Sequence, residues 1–263
     1  MKHNWILAAG FAAALATTSA YSAHTTHKTH NSQTTPAYVT AALKDAGRPD
    51  ADIQLDAERL PAAMVAFAGI KPGTRVMDLM PGQGYFTRIF AKIVGRNGYV
   101  YAYSPTEIDS LIQKRFPGVD VTKQFAAYSN VAVLHAPVNS LVAPESLDVV
   151  WTSQNYHDLH DSFYKPADLA IINKAVFHVL KPGGIYIVLD HAAAAGSGLS
   201  ATETLHRIDE AVVKKEVLAA GFKLAGESNV LRNPKDPHDK LVFDPSIRHH
   251  TDQFILKFVK PLH

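Results

Sequence analysis

The stretch "VMDLMPGQGYFT", Val76 to Thr87, decides how the chain is read. Val76 to Leu79 is short and apolar apart from Asp78, the pattern of a buried strand. Gly82 and Gly84 follow. Phe86, Ile89, Phe90, Ile93 and Val94 then recur at helical spacing until Gly95 stops them. A strand, a glycine turn and a helix together bring backbone close to a nucleotide-like ligand. Two phosphate motifs are not met: Thr87 stands where a dinucleotide fingerprint has its third glycine, and no G-K-[ST] follows. Asp78 adds a condition. A carboxylate inside an apolar strand is costly unless paired, and a ligand ammonium group is one natural partner.

Outward from this stretch, strands and helices alternate. Asn97-Gly98 turns into "YVYAY", and Ile108, Leu111 and Ile112 mark a helix. "VAVLH" (Val131 to His135) and "LDVVWT" (Leu147 to Thr152) read as strands three and four. Leu169, Ile172, Val176, Val179 and Leu180 form an amphipathic helix stopped by "KPGG", and "IYIVLD" (Ile185 to Asp190) is strand five. Ser200 and Glu203 have capping-box spacing before a helix carrying Leu205, Ile208 and Val212. "FKLAGES" and "FILKFV" close the chain as strands. Short strands apolar on both faces, with helices between them, predict a doubly wound, mostly parallel sheet. Ligands of such sheets sit at the carboxyl ends of the strands. That rule sets the Gly82 loop, Tyr103, Asn155 to His157 and Asp190-His191 along one rim.

The chain has 263 residues, 47% hydrophobic and 19% charged, enough for one α/β domain with a real core. Lys and Arg are scattered and the formal net charge is +2, so nothing points to nucleic acid. The absence of cysteine excludes a disulfide scaffold, a thiolate nucleophile and Cys-ligated zinc. Residues 1–20 read as a cleavable signal peptide: Lys2, an apolar run from Trp5 to Ala16, then "TSA". The run is shorter than the roughly 20 residues a bilayer span needs, so no stable membrane insertion is expected after processing, and the mature protein is expected to be periplasmic or secreted. Residues 21–36 read as a solvated linker in which His24, His27 and His30 recur. The folded domain is expected over 37–263. The sequence does not set an oligomeric state.

Asp78-x-x-x-Gly82-x-Gly84 after a strand resembles motif I of the class I S-adenosylmethionine (SAM)-dependent methyltransferases. "GIKPGTRVMDLMPGQGYFT" and "VFHVLKPGGIYIVLD" look like segments of that superfamily, and the resemblance covers about 37–263. More narrowly, "QNYHDLH", "LDHAA" and "TDQFILKF" are similar to an exported methyltransferase-like family of bacteria. The resemblance implies a Rossmann-like methyltransferase fold, a seven-stranded sheet with an antiparallel last strand, and SAM as cofactor. Gly82 and Gly84 would let the backbone approach that cofactor, and Asp78 would face its amino group. Met80 takes the place of the first motif glycine. Tyr103 and Ser104 stand where an acid would hold the ribose, the nearest carboxylate being Glu107. Asn155 takes the first position of the N-P-P-Y-type loop. The region of Arg48, Asp50, Asp52, Asp56 and Arg59 would lid the cofactor.

Three rim residues are candidates for chemistry: His157, Asp158 and His191. His157 ends a strand, where a neutral imidazole could take a proton; a hydrogen-bonded structural histidine is the alternative. His135 and His178 read as structural, and His160 as exposed. Asp158, Asp190, His191 and Asn155 could assemble a metal site of oxygen and nitrogen donors, although no metal ligand is assigned from the sequence. The reading is a SAM-dependent methyltransferase of a small molecule. The alternatives are a non-catalytic periplasmic binding protein on a degenerate methyltransferase fold and a divalent-metal-dependent O-methyltransferase.

Overall fold

The computed structural model describes residues 35–263 other than 116 and 166. The expected signal peptide and most of the histidine-rich linker lie outside the described residues. From Thr35 onward the chain is one compact unit.

Short helices α1 (Ala37–Leu43), α2 (Asp50–Gln54), α3 (Asp56–Arg59) and α4 (Pro61–Ala68) precede β1 (Arg75–Leu79). Then come α5 (Tyr85–Val94), β2 (Tyr99–Pro105), α6 (Asp109–Arg115), β3 (Val131–Ala136) and β4 (Leu147–Ser153). α7 (Leu169–Val179), β5 (Leu180–His191), α8 (Thr202–Leu205), α9 (Glu210–Ala219), β6 (Lys223–Ser228) and β7 (Gln253–Val259) complete the domain. The seven strands lie in the order β3-β2-β1-β4-β5-β7-β6. β1 to β5 pair in parallel, and β7 runs antiparallel to both β5 and β6. This is the doubly wound sheet with an antiparallel last strand that the apolar pattern predicts.

Alternation along the strands feeds two cores. Val76, Val100, Trp151 and Ile187 pack on one face with α5, while Met77, Leu79, Tyr101 and Val150 pack on the other with α7 and α9. Phe86 and Phe90 of α5 sit 4.7 and 5.5 Å from Trp151 between ring centroids. By the two-residue period of a strand, Asp78 shares the face of Val76 and points at α5. β1 and β4 are neighbours, so the carboxyl end of β1 faces the chain that leaves β4.

One expected element is broken. The helix anticipated from Ser200 to Val212 splits into α8 and α9, because His206 takes a left-handed φ of 53°. The capping box does not form. Ser200 donates to the Ser197 carbonyl, and Asp209 caps α9 by accepting from Ala211 N–H. The long polar segment between β6 and β7 is pinned by Arg207, which is fully buried and holds Asp236 at 2.7 and 3.1 Å and the Lys240 carbonyl at 2.9 Å. Among the described residues no helix is long and apolar enough to cross a membrane.

Candidate active site

A cavity of about 580 Å³ opens at the carboxyl ends of β1, β2 and β4. The glycine turn forms one wall through Met80, Pro81, Gly82 and Gln83; Ser104, Pro105, Ile108 and Ile112 form a second; Asn155, Asp158, Phe163 and Tyr164 form a third. Four expected cofactor residues, Met80, Gly82, Ser104 and Asn155, therefore meet here.

The two glycines do different work. At Gly82, φ is +54°, and a Cβ would meet nothing within 4 Å, so the space beside its backbone is open. At Gly84 a Cβ would fall 2.3 Å from Phe125 Cε1. Gly84 thus admits the Phe125 ring at the start of α5, and it is not among the residues that line the cavity. Met80 keeps a glycine-like backbone, with φ at +61°. For a long side chain this costs roughly 1–2 kcal/mol. The strained peptide is clamped: Met80 N–H donates to Tyr103 O at 2.9 Å, and Asn155 Nδ2 donates to Met80 O at 2.9 Å.

Asp78 is buried beneath the turn and accepts a hydrogen bond from Thr87 Oγ1 at 2.5 Å. Burial pushes its carboxyl up to about 7, an effect that the Thr87 hydrogen bonds moderate. Arg59 lies near enough to influence Asp78. Its guanidinium stacks 4.7 Å over the Tyr85 ring and reaches Gln154 Oε1 at 3.5 Å, and among the described residues no carboxylate lies within 4.0 Å of it. Three other charges of the front segment are consumed structurally: Arg48 grips Asp56 in a bidentate pair, and Arg88 of α5 grips Asp52.

Tyr103 is not at the cavity. It is fully buried and donates to the Pro137 carbonyl at 2.8 Å. Glu107 is also committed elsewhere, accepting Val138 N–H at 2.9 Å. Of the residues at the end of β2, Ser104 and Pro105 meet the cavity.

A dense polar cluster adjoins the third wall. His157 is 2% exposed and donates through Nδ1 to Asp190 Oδ1 at 2.8 Å. The buried Asp190 carboxylate also accepts the backbone N–H groups of His157 and His191, both at 2.8 Å. On the other side of the ring, His157 Nε2 lies 3.2 Å from Asp158 Oδ1 and 3.3 Å from His206 Nδ1. Burial alone would push the His157 imidazole down, but Asp190 and Asp158 prevail and hold it up at about 10. Asp158 sits at about 2: burial opposes this, and the hydrogen bonds from His157 and His206 outweigh it. His191 points instead to Thr251 Oγ1 at 2.8 Å and is pushed down to about 3 by burial.

The metal set considered from the sequence is not assembled. Asp190 is spent on three N–H groups, Asn155 on the Met80 and Ser153 carbonyls, and His191 on Thr251. His206, which sequence reasoning missed, lies with His157 and Asp158 instead. In sequence it stands inside the helical pattern from Ser200 to Val212, with nothing there to mark it as a ligand. His160, expected to be exposed, is half-buried against Glu216.

Residues 24–135 match the family model of protein-L-isoaspartate(D-aspartate) O-methyltransferase. The chain is 33% identical over 132 residues to a 2-methyl-6-phytyl-1,4-hydroquinone methyltransferase of Synechocystis, covering 49% of this chain and 36% of that protein. It is 29% identical over 192 residues to the ubiquinone/menaquinone biosynthesis C-methyltransferase UbiE of Vibrio vulnificus, covering 72% of this chain and 63% of that one. The chain thus spans less than two thirds of the length of these relatives. Among solved structures, the [4+2]-cyclase SpnF superposes with a TM-score of 0.56 at 18% identity, covering 84% of this chain and 86% of that one. A SAM-dependent methyltransferase of Aquifex aeolicus gives 0.52 at 19% identity, covering 81% and 98%. These two likenesses show the fold.

Proposed function

As this chain belongs to the class I SAM-dependent methyltransferase superfamily, we propose that it binds SAM in the cavity at the glycine turn and methylates a small, largely apolar acceptor. One observation carries the proposal. The turn keeps its left-handed backbone at Met80 and Gly82 alike, and beside Gly82 it leaves open space.

The residues fit the cofactor. Gly82 is the point of close backbone approach. Asp78 suits an ammonium group, and Arg59, without a carboxylate partner among the described residues, suits a carboxylate. Ile108 and Ile112 offer an apolar wall to a base. Ser104 takes the ribose side in place of an acid. When bound, SAM supplies an electrophilic methyl group on a sulfonium. The protein's part is positioning and exclusion of water. Asp158, ionised and facing the cavity, accepts a hydrogen bond from an acceptor hydroxyl. In the absence of a metal ion, Asp190 and Asp158 keep His157 protonated near neutral pH, so it pairs with Asp158 rather than taking a proton.

An acceptor with an aromatic ring and a hydroxyl group suits the apolar walls and Asp158, and two of the relatives are named for hydroquinone and quinone substrates. A second reading, a binding protein that performs no transfer, is favoured by Met80 at the first glycine position. Incubating the protein with methyl-labelled SAM and a panel of hydroquinones and phenols separates the two: label on an acceptor supports the enzyme, and SAM binding without transfer to any acceptor supports the binding protein. The export reading rests on Lys2 to Ala20. Charged SAM does not cross a bilayer unaided, so an exported enzyme would draw on imported cofactor.

A further inference from the structure

The cluster beside the cavity has the dimensions of a metal site. Three donor atoms form a nearly equilateral triangle: His157 Nε2 to Asp158 Oδ1 is 3.2 Å, His157 Nε2 to His206 Nδ1 is 3.3 Å, and His206 Nδ1 to Asp158 Oδ1 is 3.4 Å. Donors bound at about 2.0–2.1 Å to one tetrahedral ion lie about 3.3–3.4 Å apart, so these three match one face of a zinc tetrahedron. We propose that His157, Asp158 and His206 bind a zinc-class divalent ion, with the fourth position turned toward an oxygen donor of the acceptor in the cavity that Asp158 lines.

Two further observations support a cation site here. Asp190 accepts the Nδ1–H of His157 at 2.8 Å, which fixes the ring so that Nε2 faces the triangle. A carboxylate behind a ligating imidazole is the usual support of such a ligand. Asp161 is 1% exposed, yet neither of its oxygens completes a hydrogen bond. The neighbouring Thr202 hydroxyl donates to the Leu199 carbonyl at 3.2 Å. Asp161 lies within electrostatic range of His157, Asp158 and His206, and burial raises its carboxyl, so a cation held by those three residues would favour its ionised form. Two imidazoles and one carboxylate with an open position are the donor set of catalytic zinc and of non-haem iron(II), not of magnesium, which prefers oxygen. The left-handed turn at His206 brings the second imidazole to the site, and the helix is broken to allow it.

The part of the proposal that concerns the acceptor rests on the methyltransferase reading; the site itself does not. The test uses the full chain, stripped of metal by chelation and titrated with cobalt(II), with SAM binding measured in parallel. Because the histidine-rich linker can also take metal, the decisive comparison is with His206→Gly, which keeps the left-handed backbone. The wild type is expected to give one equivalent of intense, tetrahedral-type visible bands that zinc abolishes. His206→Gly and Asp158→Asn, both with ordinary melting curves, are expected to lose at least about a hundredfold in cobalt affinity while His206→Gly leaves SAM affinity unchanged. Equal cobalt spectra and affinities in wild type and His206→Gly would overturn the site. Cobalt binding lost in His206→Gly, in a chain that never binds SAM, would uphold the metal site and sink the methyltransferase reading.

Discussion

Replacing Asp78 with Asn should flatten a pH dependence that the wild-type fold carries. The Asp78 carboxyl stands at about 7 in the folded protein against 3.8 as the ordinary value. A carboxyl raised on folding binds its proton more tightly in the native state, so its contribution to stability falls as pH rises from the unfolded value to the folded one. Evaluating both titration curves at pH 5 and pH 8 gives a loss of roughly 2–3 kcal/mol across that interval. Asn is nearly isosteric and can still accept from Thr87 Oγ1. Urea unfolding of both proteins at half-unit steps from pH 5 to pH 8.5 isolates the effect, since every other group titrates alike in the two chains. The wild-type stability should drop relative to Asp78→Asn by roughly 2–3 kcal/mol between pH 5 and pH 8 and then level off. Parallel curves, or a wild type that gains on the variant as pH rises, would refute the burial argument. The same group links to ligand. An ammonium partner needs the ionised form, so SAM affinity should weaken by up to about tenfold per unit below pH 7 and lose that slope in Asp78→Asn.

Gly82→Ala and Gly84→Ala pay a similar left-handed backbone cost, so the difference between them is informative: the first should lower SAM affinity at least about tenfold (about 1.4 kcal/mol) in a calorimetric titration, and the second should lose more stability because its Cβ meets Phe125 at 2.3 Å. His157→Ala strips a buried carboxylate of its imidazole partner and should cost about 3–5 kcal/mol of stability, seen as a large fall in melting temperature. Arg59→Gln, in which the cation without a carboxylate partner is lost, should raise the SAM dissociation constant about tenfold or more while the melting temperature stays within a few degrees. Protein recovered from the periplasm should begin near Tyr21 and carry no SAM; intact and native mass spectrometry read both, and retained Met1 or a stoichiometric SAM adduct would count against export of an empty chain.

The fold was legible because its signals are local and repeated. Strand alternation, the Asn97-Gly98 turn and the "KPGG" stop each specify an element without tertiary help, and the apolar runs of β1, β4 and β5 require cover on both faces. The glycine turn was legible too, as was Asp78 as a buried carboxylate. What the sequence did not show depended on contacts between distant segments. Gly84 reads like Gly82 in sequence, and only the fold brings Phe125 against it. Tyr103 ends a strand on the ligand rim, yet its hydroxyl turns away to Pro137, 34 residues later. His206 was invisible because its partners, His157 and Asp158, precede it by nearly 50 residues and because a left-handed histidine breaks the helix that the pattern around it describes.

The most direct test of the central claim is a calorimetric titration of the full chain with SAM at pH 7.5, using folded protein confirmed by circular dichroism. One saturable site is expected, competed by S-adenosylhomocysteine and weakened at least about tenfold by Gly82→Ala (about 1.4 kcal/mol). No binding by the folded wild type, or equal binding by wild type and Gly82→Ala, would contradict the assignment of the glycine-turn cavity as the cofactor site.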